Sequence, residues 1–123
     1  MPDNVIGQAA DELSETLAAI DGVRHYRLRG GAVSPPATIL APPTVTWNGM
    51  DADPTDASWV VALVVADAER CDEQLWALLP AVYAALDGLN GRVVVRDARP
   101  DSYPSGGVNL PAYVFNVDVS LPL

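Results

Sequence analysis

Trp59-Val60-Val61-Ala62-Leu63-Val64-Val65-Ala66 decides the fold. It is almost unbroken apolar sequence, rich in β-branched side chains, and too short for a typical globular helix. Such a run reads as a central strand buried on both faces. A strand of that kind needs neighbours on either side and a layer of helix against it, so the flanking sequence is read for those parts.

Downstream, Glu69 to Leu86 carries Leu75, Leu78, Leu79, Val82 and Leu86 at helical spacing, which predicts an amphipathic helix. Pro80 lies inside it and cannot donate to the Trp76 carbonyl, so a kink or break is expected near Leu79. Arg92 to Asp97 reads as a strand, Arg99 to Pro111 as a long loop, and Ala112 to Leu121 as the closing strand. In that last strand Tyr113, Phe115, Val117 and Val119 alternate with Ala112, Val114, Asn116 and Asp118. The strands at Trp59 and Val93 flank a crossover helix, an arrangement that makes such a pair parallel.

Upstream, Asn4 to Ile20 reads as a helix with Ile6, Ala9, Ala10, Leu13, Leu17 and Ile20 on one face. Asp3 or Asn4 caps it, and Gly22 suits the position past its end. Val23 to Leu28 is an imperfectly alternating strand, as at a sheet edge. Ala37-Thr38-Ile39-Leu40 lies between Pro35-Pro36 and Pro42-Pro43, a short strand that the prolines keep from propagating. Thr44 to Trp47 extends again before the Asn48-Gly49 turn, and Met50 to Ser58 is an acidic loop. With short pieces merged the order is αβββαββ. The expected fold is α+β: one mixed, mostly antiparallel sheet with two helices on one face, plus extended loops or a hairpin, as a single domain over residues 1–123.

Composition narrows the function classes. The 123-residue chain has 16 acids, seven arginines and no lysine, a net charge of −9. That excludes nucleic-acid coating and a polybasic membrane anchor, both of which need cationic surface. The Met1-Pro2-Asp3-Asn4 start shows no secretory signature, and no apolar run approaches the roughly 20 residues of a membrane span. One cysteine, Cys71, leaves no disulfide framework or thiolate zinc site, which fits a reducing cytoplasm.

The chemistry-bearing residues are few. His25 has no sequence-adjacent nucleophile or acid in a recognisable arrangement and reads as a strand histidine. Cys71 sits among Glu69, Asp72 and Glu73, which oppose a lowered thiol pKa. Asp51, Asp53 and Asp56 lack the mid-loop glycine and terminal glutamate of a calcium loop. Trp59 and Trp76 fall in periodic segments and are expected in the core, while Trp47 beside its turn is an interface candidate. No enzyme activity, cofactor or metal is expected.

The ordered set resembles the tail terminator proteins of long-tailed (siphovirus-type) bacteriophages. It comprises Ala18-Ala19-Ile20-Asp21-Gly22-Val23-Arg24 followed by Tyr26, then Ser34-Pro35-Pro36-Ala37 and Ala41-Pro42-Pro43. The Asp-rich loop, the Val-rich strand, the helix near Asp72, Val93-Val94-Val95-Arg96, a Tyr103-containing loop and Tyr113-Val114-Phe115-Asn116-Val117-Asp118-Val119 complete it. It departs from the family at Pro80 and in the Gly/Pro-rich tip between Asp101 and Leu110. The resemblance implies a hexameric ring at the head-proximal end of the tail tube, in the virion, assembled in the host cytoplasm. Such a ring ends tube polymerisation and joins tail to neck. Its implied partners are further copies of the chain, the tail tube protein and neck connector proteins, with DNA passing through and no membrane contact. Arg24, Arg27, Arg29, Trp47 and Tyr103 are the candidate subunit or tube contacts, and Asp51, Asp53 and Asp56 a candidate lumen- or tube-facing loop. The alternatives are another neck or tail-tube ring component, or a small-ligand-binding or dimeric enzyme domain.

Overall fold

The computed structural model describes residues 4–27, 33–49, 53–89 and 91–122. The order is α1 (Val5–Ala18), β1 (Arg24–Tyr26), β2 (Ala37–Leu40), β3 (Thr44–Thr46), β4 (Asp56–Val64), α2 (Cys71–Asp87), β5 (Val93–Ser105) and β6 (Val108–Ser120). Four strands precede α2, one more than the merged order allows, because β3 forms its own short pairing with β4. The fold is α+β, with one six-stranded sheet ordered β1-β2-β4-β6-β5 and β3 beside the start of β4. Only β1 and β2 run parallel. The β4–α2–β5 crossover does leave β4 and β5 pointing the same way, but β6 lies between them and pairs with both. The long hairpin explains this. Gly106 and Gly107 take φ of +57° and +85°, a two-residue turn that returns β6 directly alongside β5.

α1 begins where the Asn4 side chain accepts from the Gly7 N–H at 2.6 Å. Ala9, Ala10, Leu13 and Leu17 are buried as one stripe, with Ile6 and Ile20 at its margins. α2 runs unbroken through Pro80. Leu75 before the proline and Val82 and Leu86 after it are all buried against one core. Both helices share a single apolar core with Trp59, Val61 and Leu63 of β4 and Phe115, Val117 and Val119 of β6. Two helices on one face is thus the observed layering.

The helix-free face is divided. Ala37, Ile39, Ala62, Val64 and Ala112 form a second buried cluster there, flanked by Tyr26, Val33, Tyr103, Leu110 and Val114. The far end of the β5–β6 hairpin curls over this half, and the Ser105 hydroxyl accepts from the Val33 N–H at 2.9 Å. β4 is therefore buried on both faces only in its C-terminal half. Its first half, Asp56 to Val60, alternates, and Val60 is 37% exposed.

Residues 99–111, expected as a loop, belong to the hairpin. Hydrogen-bond parity shows why the prolines do not break it. Even positions of β6 bond toward β5 (Ser120 N–H to the Arg92 carbonyl, 2.8 Å), and odd ones toward β4 (Val65 N–H to the Pro111 carbonyl, 3.1 Å). Beyond the bulge between Val95 and Asp97, Arg99 faces Val114 and Asp101 faces Ala112. Residues 98, 100, 102 and 104 thus turn their backbone outward. Pro100 and Pro104 stand where a missing N–H costs nothing, and they guard the free edge against further pairing.

Trp76 is 55% exposed rather than in the core. It lies to the side of the Leu75–Val82–Leu86 stripe, and its indole N–H donates to the Tyr113 hydroxyl at 3.0 Å. Among the described residues no helix is long and apolar enough to cross a membrane.

Candidate functional site

The uncovered half of the helix-free face carries a continuous set of polar side chains. Strand alternation places Ser58 and Val60 of β4, Asn116 and Asp118 of β6, and Val94, Asp97 and Arg99 of β5 on this side. The β5 bulge adds Arg96 as an extra residue opposite β6 and aims it into the same surface.

These groups hold one another. Asp118 accepts from the Ser58 hydroxyl at 2.8 Å and from Arg96 Nη1 at 3.1 Å. Asp97 accepts from the Asn116 amide at 2.6 Å and pairs with Arg99 Nε at 3.4 Å. The Asn116 hydrogen bond, with Arg99 and Arg96 nearby, holds the Asp97 carboxyl below its ordinary pKa. The Arg96 and Arg99 side chains are 65% and 76% exposed, against 40% and 39% for Asp118 and Asp97. The guanidiniums therefore stand proud and the carboxylates lie beneath them as fixed counter-ions. Val94 and Val60 are exposed beside them.

The candidate residues read from sequence fall in two other places. Arg24 and Arg27 lie on the β1 edge. Arg27 is committed to Asp11 of α1 at 2.6 Å. Arg24 lies near Tyr26, whose hydroxyl accepts from the Ser34 N–H at 3.1 Å; that bond, helped by Arg24, lowers the phenol's pKa. Tyr103 belongs to the curled hairpin over the covered half, and its buried hydroxyl has no hydrogen-bond partner among the described residues. Trp47, Asp53 and Asp56 gather at the opposite end of the sheet, where β3 meets β4. Trp47 is exposed there, and Asp56 is already in the strand, accepting from the Thr55 hydroxyl at 2.9 Å. Arg29 and Asp51 lie outside the described residues.

His25 pairs through Nδ1 with the Thr38 hydroxyl at 2.9 Å, while its Nε2 is buried with no partner among the described residues. Burial, then the Arg27 charge, lowers its pKa from the ordinary 6.5. Among the described residues no group of three or more His, Cys, Asp or Glu side chains is placed to hold a metal ion.

Sequence reasoning recorded Asn116 and Asp118 on the face opposite the apolar one but did not join them to Ser58, Asp97 or Arg99. The available signal was the pair of alternating polar positions in an otherwise apolar closing strand. No protein-family model matches the chain, and no curated protein matches it.

Proposed function

We propose that this chain is a structural component of a phage virion that forms a ring at the head-proximal end of the tail tube, ends its polymerisation and joins it to the neck. The observation that carries the reading is the open half of the helix-free face. A surface with exposed valines and preset charged pairs is built to meet another protein. The helices protect one face of the sheet and the hairpin protects half of the other, leaving this stretch uncovered among the described residues. Proline and a bulge guard the β5 edge, so assembly through faces is favoured over strand addition there.

The acidic end suits the same role. Asp53 and Asp56 put negative charge at one end of the sheet beside Trp47, where it repels passing DNA phosphates. Replacing Asp51, Asp53 and Asp56 together by asparagine is expected to slow DNA ejection; normal ejection by assembled particles refutes the lumen placement.

The decisive experiment is electron microscopy of tails made without this protein. Tubes of uncontrolled length are expected. Tails of normal length refute termination, and normal tails that fail to join heads instead assign the chain to another ring of the neck.

A further inference from the structure

We propose that His25, together with Ser14 and Thr38, forms a proton-operated latch that holds β1 against the sheet and releases it in mildly acid solution. The latch lies on the helix side of the sheet, away from the open face.

Thr38 of β2 pairs with Leu63 of β4, and Leu63 lies in the core beneath the helices. Thr38 and its β1 partner His25 therefore point to the helix side. Thr38 is fully buried, and its hydroxyl meets His25 Nδ1 at 2.9 Å. The other ring nitrogen, Nε2, is buried with no partner among the described residues, and so is Ser14 Oγ of α1. One ion pair shows how these two atoms meet. Asp11 of α1 holds Arg27 of β1. Between the two elements the chain reverses at Gly22, where φ is +76°. Ser14 is one turn further along α1, and His25 is two residues back along β1 on the same side as Arg27. The helix–strand register thus brings Ser14 beside His25.

The cluster suits a neutral ring. A neutral imidazole has one donor and one acceptor, and a hydroxyl serves as either, so Ser14 and Thr38 match both tautomers. An imidazolium has two donors and a charge that burial disfavours. The surrounding charges do not offset that cost. On β1, Arg27 shares the side of His25 and repels a second positive charge, while Arg24 and Tyr26 point the other way. β2 carries no titratable side chain. On α1 and the turn after it, Asp11 is committed to Arg27, and Glu15 and Asp21 are exposed. Burial first, and Arg27 second, accordingly lower the His25 pKa from 6.5. The docked strand resists a proton that the released strand accepts.

β1 is an element that one proton can move. It is an edge strand with three residue pairs to β2, and its ion pair to α1 is partly exposed. Elements held by so few contacts open locally, without global unfolding. Release uncovers the edge of β2, whose four residues are all buried in the closed sheet. As pH falls from 6.5 toward the folded value, opening rises by at most about tenfold per pH unit, the limit for a single proton.

The test is amide hydrogen exchange by NMR between about pH 7.5 and about pH 5.5, each rate divided by the intrinsic rate at that pH. The Arg24 N–H, bonded to the Pro36 carbonyl at 3.1 Å, reports on β1. In the wild type the amides joining β1 to β2 should open severalfold more at the acid end, up to about tenfold, while those joining β4 to β6 keep their protection. His25→Gln keeps a donor and an acceptor but does not titrate, and should abolish the acid opening. The chain has one histidine, so its ring signals are unambiguous. They should titrate below 6.5, and closer to 6.5 in Ser14→Ala, which lacks the hydroxyl offered to the neutral ring. β1 amides that open equally at both pH values overturn the latch. So does acid opening that persists in folded His25→Gln, or loss of β4–β6 protection in step with β1. Ring signals that titrate at or above 6.5, or that do not move in Ser14→Ala, overturn it as well, and this titration decides even where His25→Gln fails to fold.

Discussion

The two halves of the helix-free face share β4 and β6 yet face different surroundings. Where β2, β4 and β6 run side by side near Ala37, Val64 and Ala112, the hairpin curls back and the side chains are small, apolar and buried. A few residues along the same strands, Ser58, Asn116 and Asp118 are polar and bonded to one another. The hairpin makes the difference. Alternation along a strand says which residues share a face, but burial of that face depends on what lies over it. A covered face is selected for packing, and an uncovered one is free to carry charge.

The largest test of this comparison is a buried charge. Val64→Asp is expected to cost about 3 kcal/mol or more, since an unpaired carboxylate would replace a fully buried side chain. Val60→Asp, four residues earlier on the same face, should stay within about 1 kcal/mol. Urea denaturation of the two variants gives the contrast, and equal losses break it.

Removing the cover comes next. Tyr103→Ala strips part of the hairpin's apolar underside and should cost about 1–2 kcal/mol, with increased binding of a hydrophobic dye. Unchanged stability and dye binding would mean that the hairpin does not shield this half.

On the open half the effects shrink. Arg96→Ala removes an exposed ion pair and should change stability by no more than about 0.5 kcal/mol in thermal melts. Asn116→Ala removes the main group that lowers the Asp97 pKa, so the carboxyl should titrate closer to its ordinary value in a carbon-detected NMR titration. Because the folded pKa is depressed, whatever stability this bond supplies is present above the ordinary 3.8 and is lost as pH falls through the folded value.

His25, on the helix side, provides a control in a separate pH window. Its lowered pKa means that the folded chain resists protonation that the unfolded chain accepts below 6.5. Stability attached to it is complete above that value and declines as pH falls from there. A His25→Gln variant should show a flatter melting temperature between neutral and mildly acid pH than the wild type.

Much of the fold was legible in local pattern. The apolar stripe of α1, its Asn4 cap, the stripe of α2 and the alternation of Tyr113 to Val119 each follow from periodicities within one element. Pro80 did not break its helix, because the buried residues on either side of it pack on one core; Pro100 and Pro104 read as loop because proline's cost in a strand depends on where its missing N–H would have pointed. Trp76 appeared to belong in the core because helical spacing alone did not show that its side chain lies beside the buried stripe, at Tyr113. The candidate site was less legible than the fold. Ser58 and Asp118 are 60 residues apart, and only the β4–β6 register brings them together.

The sequence by itself determined the two helices, the Asn4 cap and the alternation of the closing strand, because these depend on neighbours within a few positions along the chain. Tertiary structure alone decided that β6 lies between β4 and β5, that the hairpin covers half of one face, and that Arg96, Asp97, Arg99, Asn116, Asp118 and Ser58 form one surface. Those outcomes rest on pairing between distant segments. Strand register converts alternation into a surface, and whatever covers that surface determines its chemistry.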